Sequence, residues 1–378
     1  MTTIREHPTI IPIMKRCVYA GSFDPITFGH LWMIEQGSRM FDELVVAIGI
    51  NPDKRYLFTL EERLTALRSA TQSLPSVRVA SYENLYLVTY AKQIGANFIL
   101  RGVRNEQDYG YERGMRYVNA EFDPNIQTIF LIPPRQLCEV SSSFVKGLVG
   151  PRGWEHILPK YVPTAVNDLF VMKHAVARWT QIFAALGVPK EKTPDPSMII
   201  QRYQNPPRAY HNLRHIVSCL SEFDEVRSHA RDPLSIELAL WFHDCIYDPM
   251  RNDNEEQSAQ AAQQLLQAAG ISANRLEAIK RFIIATKHTT MPADPDEQLM
   301  VDIDLSILGQ ASEIYDRYET AIREEYRHVD ESAFRTGRTK VLNTFLSRPR
   351  IFATDLFREK YEQSARSNLK RAIAAIVE

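Results

Sequence analysis

The apolar positions of this chain fall into two regimes. In the first, Leu44-Val45-Val46-Ala47-Ile48-Gly49-Ile50 is a continuous apolar run, suited to a strand buried on both faces. Shorter runs at Cys17-Val18-Tyr19, Val77 to Ala80, Phe98-Ile99-Leu100 and Gln127 to Ile132 predict four more strands. Helical patterns fall between them. One follows the first strand, with Leu31, Ile34 and Met40 set among polar residues. Thr59-Leu60-Glu61-Glu62 reads as a capping box that opens another, and Val88 to Ile94 predicts a third. Strands alternating with helices imply a parallel sheet, with ligands at the C-terminal ends of its strands. Around Pro159, Pro163 and again Lys190 to Pro196 the alternation stops. From Val166 the pattern is helical, as in Val176, Trp179, Ile182, Phe183 and Leu186, then Ile236, Leu238, Leu240, Trp241 and Phe242. No strand signal of the parallel type follows Ile132, and no internal repeat is seen. An α/β domain over residues 15–170 and an all-α domain over 175–378 are expected.

Length agrees with that division, since 378 residues exceed one typical domain. Lys plus Arg is 45 and Asp plus Glu is 46, a balance that argues against a nucleic acid polymer as partner. Cys17, Cys138, Cys219 and Cys245 lie far apart with no Cys-x-x-Cys, and read as free thiols of a reducing cytoplasm. No long apolar run or secretory segment is present, so no membrane partner is expected. The first fourteen residues, with His7, Pro8 and Pro12, read as a loosely held extension.

The candidate chemistry begins at Tyr19-Ala20-Gly21-Ser22-Phe23-Asp24-Pro25-Ile26-Thr27-Phe28-Gly29-His30. A strand that breaks into a glycine-bearing turn and enters a helix makes a phosphate site, because backbone N–H groups at the helix start are free to donate. His30 falls in the first turn of that helix, aimed at the same anion. The string Gly-Ser-Phe-Asp-Pro-x-x-x-Gly-His resembles the first signature of the nucleotidyltransferase superfamily with the His/Thr-x-Gly-His motif. Within it, phosphopantetheine adenylyltransferases are the most similar. Three further pieces follow in order at strand ends: Lys54; Arg101-Gly102-Val103-Arg104; and Val140-Ser141-Ser142-Ser143-Phe144-Val145-Lys146 opening the last helix. Glu112 and Asn119 also match. The resemblance covers about residues 15 to 168 and implies a Rossmann-like nucleotidyltransferase domain in a homo-oligomer.

It also implies a reaction: transfer of AMP from ATP to 4′-phosphopantetheine, giving dephospho-CoA and pyrophosphate. The nucleophile is a phosphate oxygen already anionic, so no protein base is required. The enzyme must position two polyanions and stabilise charge at the α-phosphate. His30 and Lys54 are the implied catalytic residues. Gly21, Ser22, Phe23, His30, Arg101, Gly102, Arg104, Glu112, Ser141, Ser142 and Ser143 would bind the nucleotide, with Mg²⁺ bridging the phosphates of ATP. Ser22, Lys54, Leu87, Arg101 and Asn119 would bind the acceptor. One segment departs from the family, which reads Gly-Leu-x-Val-Asp/Asn-Phe/Tyr-Ala where this chain has Leu85-Tyr86-Leu87-Val88-Thr89-Tyr90-Ala91. That departure predicts a narrowed or reshaped acceptor pocket. Glu139 also stands where the family tends to place an aromatic residue. Another phosphorylated small molecule is the alternative acceptor, and a nucleotide sensor the alternative function.

In the second half, Tyr210-His211-Asn212-Leu213-Arg214-His215-Ile216 spaces two histidines one helical turn apart. Trp241-Phe242-His243-Asp244 ends an apolar helix, and Asp302-Ile303-Asp304-Leu305-Ser306 completes the set. Imidazole nitrogens and carboxylates facing inward from several helices suit a catalytic divalent metal. The set resembles the HD-domain metal-dependent phosphohydrolases. Asn254-Glu255-Glu256-Gln257-Ser258-Ala259 and Ala285-Thr286-Lys287-His288 match a bacterial group within them. By this resemblance His215, His243, Asp244 and Asp304 hold Mg²⁺, Mn²⁺, Fe²⁺, Co²⁺ or Zn²⁺. His211 is the implied proton donor, and Glu255, Glu256 and His288 are weaker candidates for the same pocket or a second metal.

Overall fold

Five parallel strands, β1 (Arg16–Gly21), β2 (Glu43–Ile50), β3 (Val77–Glu83), β4 (Phe98–Gly102) and β5 (Gln127–Leu131), form one sheet in the order β3-β2-β1-β4-β5. The computed structural model describes residues 14–204 and 208–377, so the N-terminal extension expected from the sequence lies outside the described residues. Contacts divide the chain into two units, Met1–Leu169 and Phe170–Glu378.

In the first unit the central strands are closed to water on both faces. Val18, Val45, Ala47 and Ile99 are fully buried, which is why β2 reads as unbroken apolar sequence. They pack with Val88 and Ala91 of the helix α3 (Leu87–Gln93), which follows α1 (Phe28–Met40) and α2 (Leu60–Thr71) in the chain. The strand order reverses between β1 and β4, whose C-terminal ends carry Gly21 and Gly102. Such a reversal opens a crevice at the strand ends, where ligands of α/β folds bind. Helix α4 (Glu106–Phe122) follows β4. After β5 come α5 (Arg135–Cys138) and α6 (Ser142–Leu148). α6 is short and is not the last helix: one turn at Trp154–Ile157 and the long helix Thr164–Ala185 follow it.

Among its described residues, the second unit has helices and no strand. Its core is aromatic. Trp179 meets Trp241 edge to face at 5.1 Å between ring centres, and Phe183 and Phe242 are buried beside them. Tyr203 donates its hydroxyl to the Trp241 carbonyl at 2.8 Å, satisfying a buried group next to the His243-Asp244 pair. Among the described residues no helix is long and apolar enough to cross a membrane.

Candidate functional site

Thr27 organises the first site. It is the N-cap of α1, and its backbone N–H donates to His30 Nδ1 at 3.1 Å while its Oγ1 accepts the His30 N–H at 3.4 Å. This is a capping box with histidine in the place of the usual glutamate. A backbone N–H can only donate, so Nδ1 must be the acceptor nitrogen, and the ring proton sits on Nε2. The same Oγ1 donates to the Val140 carbonyl at 2.9 Å, tying the head of α1 to the segment before α6. Gly29 is required there: a Cβ would stand 2.9 Å from the Val140 oxygen and 3.2 Å from that of Leu137. The Gly-His pair is therefore one close backbone approach and one oriented imidazole.

Burial, with the nearby Arg104 charge, pushes the His30 pKa down to about 4 from 6.5. The ring is neutral at pH 7 and offers Nε2–H as a donor. The unfolded chain would bind that proton near 6.5, so His30's share of stability is complete above 6.5 and declines as pH falls toward 4. Nitrogen chemical shifts of His30 in the free protein should report the Nε2–H form from pH 8 down to about 5. A titration midpoint near 6.5 would contradict this assignment.

The residues expected to hold the acceptor come together. Ser22, Lys54, Leu87, Arg101 and Asn119 all line one cavity of about 330 Å³, with Gly21, Glu112, Tyr86 and Arg116. Glu112, Arg116 and Asn119 reach it from one face of α4, as spacings of three and four allow. Arg101 is largely committed. Its guanidinium is bidentate to Glu112 and donates a third bond to the Ala20 carbonyl at 3.1 Å. Burial would lower its pKa, and the Glu112 carboxylate more than reverses that. Lys54 is exposed on the loop after β2. Asp24 fixes the far end of that loop by accepting the Leu57 and Phe58 N–H groups at 3.0 and 2.9 Å, with Lys146 at 3.2 Å. Burial would raise the Asp24 pKa, but these donors bring it below the usual carboxylate value.

The remaining nucleotide candidates do not line this cavity. Phe23 is buried and packs edge to face on His30 at 5.3 Å, and Gly102 ends β4. Arg104 is partly exposed and paired with Asp108 at 2.8 Å. Ser141 Oγ caps α6 by accepting the Phe144 N–H at 3.1 Å, and Ser142 Oγ donates to the Pro25 carbonyl at 2.8 Å. Those two serines hold the loops together, while Ser143 is exposed. Of the departures at 85–89, only Tyr86 lines the cavity, where it packs on Phe122 at 4.9 Å. Leu85 is exposed and Thr89 stands outside the lining, so any reshaping of the pocket rests on Tyr86. Sequence reasoning missed Arg116 and Thr128. The helical spacing from Glu112 could have found Arg116. Thr128 Oγ1 is buried in the cavity wall without a hydrogen-bond partner among the described residues, on a strand whose sequence carries no sign of it.

The second site gathers all four residues expected to hold a metal. His215 Nε2 and His243 Nε2 stand 3.1 Å apart. Asp244 Oδ2 lies 3.5 and 3.2 Å from these two nitrogens, and Asp304 Oδ1 lies 3.2 and 3.4 Å from them. The donor set fits a divalent cation. His243 Nδ1–H donates to the Leu240 carbonyl at 3.0 Å, which turns Nε2 toward the two carboxylates. Two imidazoles and two carboxylates packed this closely need a positive charge among them. Burial alone would lower the His243 pKa, yet Asp244 and Asp304 hold it well above the usual histidine value. Cys219, one helical turn from His215, also places its Sγ within 4.8 Å of ligand atoms of His215, His243 and Asp304 and was missed. Asp302 is not part of this set. It accepts the Ala353 and Thr354 N–H groups at 2.6 and 2.7 Å and serves as a buried structural acceptor.

His211 requires a correction. The helix starts at Leu213 with Asn212 as its N-cap, so His211 precedes the helix and shares no face with His215. The Asn212 side chain accepts the Arg214 N–H at 2.9 Å, and this preference for a cap ends the helix early. Tertiary contacts still bring the rings to 6.1 Å. Glu325, 114 residues away, accepts the Tyr210 and His211 N–H groups at 2.8 and 2.9 Å and His211 Nδ1 at 2.6 Å. Burial would raise the Glu325 pKa, but these bonds and the imidazole hold it lower. Nothing in the sequence pointed to Glu325. Of the weaker candidates, His288 joins through Nε2 at 2.8 Å from Asp304, and Glu255 lines the adjoining cavity. Glu256 does not join: it pairs with Lys287 at the surface.

Residues 18–147 match the cytidylyltransferase-like family model. The phosphopantetheine adenylyltransferase of Chromobacterium violaceum is 55% identical over 153 residues, 40% of this chain and 93% of that protein. That of Neisseria meningitidis serogroup C is 54% identical over 42% of this chain and 94% of that protein. That of Caldanaerobacter subterraneus subsp. tengcongensis is 39% identical over 42% and 98%. The helical unit lies beyond the matched family residues. With 93% or more of each of these relatives covered, the chain belongs, through its N-terminal α/β unit, to the phosphopantetheine adenylyltransferase family.

Proposed function

We propose that the N-terminal unit transfers AMP from ATP to 4′-phosphopantetheine. The observation that carries this reading is the meeting of Ser22, Lys54, Leu87, Arg101 and Asn119 in one cavity at the strand ends of a chain with such relatives. A phosphate oxygen of the acceptor forms a bond to the α-phosphorus of ATP, the α–β bridging bond breaks, and pyrophosphate leaves with that electron pair. His30 Nε2–H would donate to the charge that grows on the α-phosphate, the interaction that lowers the barrier. Lys54 neutralises the acceptor phosphate, and Arg104 the leaving diphosphate. Mg²⁺ enters with ATP as part of the substrate. Incubating the full chain with ATP, Mg²⁺ and a panel of phosphorylated acceptors tests the proposal. Pyrophosphate should appear fastest with 4′-phosphopantetheine, and a faster acceptor of another class would overturn it. Tyr86→Leu should improve kcat/KM for that acceptor if the tyrosine narrows the pocket, and an unchanged value would show that it does not.

We further propose that the helical unit hydrolyses a phosphate ester. The support is the cluster of His215, His243, Asp244 and Asp304 beside a cavity of about 670 Å³. A divalent ion held by these residues would act as a Lewis acid toward a phosphoryl oxygen. His211, which pairs through Nδ1 with Glu325 and lines the same cavity, would serve as the donor to the leaving oxygen. Arg251, Lys287 and Arg338 in the lining supply charge for the phosphate.

A further inference from the structure

A second cavity in the helical unit, about 920 Å³, has a wall chemistry that neither proposed reaction uses. Its lining holds Arg348, Arg350, Arg358 and Arg366 and a single carboxylate, Glu362. That carboxylate is already committed. It accepts the Ile351 N–H at 3.0 Å, the Phe352 N–H at 3.3 Å and Arg366 Nε at 2.8 Å. Arg366 spends its other N–H groups on the carbonyls of Leu346, Arg348 and Pro349, at 3.0, 2.9 and 3.2 Å. The pair is thus part of the cavity's frame. Among the described residues Arg358 pairs with the exposed Asp355 alone. Arg348 donates one N–H to the His288 carbonyl and lies over the Phe345 ring at 4.6 Å. Its other N–H groups, and all of those of Arg350, have no hydrogen bond or ion pair among the described residues. Burial with no compensating carboxylate holds the Arg348 guanidinium below its ordinary pKa.

With Arg366 paired to Glu362 and Arg358 to Asp355, the guanidinium groups of Arg348 and Arg350 leave an excess of two positive charges around the space. Like charges gathered without counter-charges repel, and planar guanidinium edges match phosphate oxygens two at a time. We propose that this cavity binds a small molecule bearing two adjacent phosphates, either a free inorganic diphosphate or the diphosphate of a nucleotide. None of His215, His243, Asp244 and Asp304 lines it, so it is a site separate from the candidate metal centre. The link between them is Arg348, which holds the backbone of His288 while the His288 ring holds Asp304.

The test is calorimetric titration of the full chain with pyrophosphate and with ADP, in a chelator, for the native sequence and for Arg350→Glu, Arg348→Gln and Arg350→Lys. Arg350 is exposed and has no side-chain partner among the described residues, so its replacement should leave the melting temperature unchanged. The site around His30 and Lys54 is intact in all of these proteins, so any class of binding that is lost belongs to the cavity. Arg350→Glu and Arg348→Gln should weaken that class at least about tenfold, the scale of one charge-assisted bond, and Arg350→Lys should restore most of it. Weakening for pyrophosphate alone assigns the site to free inorganic anions, and weakening for ADP as well assigns it to a nucleotide diphosphate. Native binding of both ligands in Arg350→Glu and Arg348→Gln overturns the proposal.

Discussion

Replacing His30 with alanine is expected to lower kcat for adenylyl transfer by about a hundredfold or more, the scale for losing one oriented donor to a transition-state phosphate. The argument rests on the imidazole's proton. Thr27 N–H occupies Nδ1, so Nε2 carries the hydrogen, and a pKa near 4 keeps that form at neutral pH. The effect should fall on kcat rather than on the KM for ATP, because charge on the α-phosphate peaks in the transition state. Loss of the ring also removes half of the capping box of α1, so a modest drop in melting temperature should accompany it. His30→Gln keeps a donor on a side chain of similar reach and should recover part of the rate. Turnover within a few-fold of native in His30→Ala would remove the histidine from the mechanism, and an equal loss in His30→Gln would point to geometry rather than donation.

The second large effect separates binding of a metal from transfer of a proton. His215→Ala should lose both bound divalent metal and phosphohydrolase turnover, because His215 Nε2 stands within 3.5 Å of His243, Asp244 and Asp304. His211→Ala should keep the metal and lose about a hundredfold or more in turnover, the range for a general acid. Glu325→Gln should behave like a weaker form of His211→Ala. It keeps an acceptor for the backbone N–H groups of Tyr210 and His211 but removes the carboxylate charge beside the His211 ring. Elemental analysis after loading with Mn²⁺ or Zn²⁺, followed by hydrolysis of a generic aryl phosphate, reads both quantities. Metal loss in His211→Ala would make that residue a ligand, and unchanged hydrolysis would leave it a structural partner of Tyr247, on which it stacks at 4.0 Å.

The sequence by itself determined what depends on short-range order. Strands buried on both faces must be continuous apolar runs, and β2 was therefore legible end to end. The Thr59 capping box, the α1 turn and the end of the apolar helix at His243 are local as well, since cap and helix lie within four residues. The Gly-His pair was legible as a motif, but its cause was not. Only the fold shows the Val140 carbonyl 2.9 Å from where a Cβ at residue 29 would stand, because that carbonyl comes from 111 residues further along the chain. The same limit hid the tautomer of His30, the commitment of Arg101 to Glu112, and the work of Ser141 and Ser142 as cap and strut rather than as free phosphate donors. Spacing even misled at His211, where an asparagine's preference for capping outweighed a four-residue repeat. Glu325 shows the reason most plainly. A carboxylate 114 residues from its histidine leaves no periodic trace, and the pairing exists only because packing of the helical core brings the two to 2.6 Å.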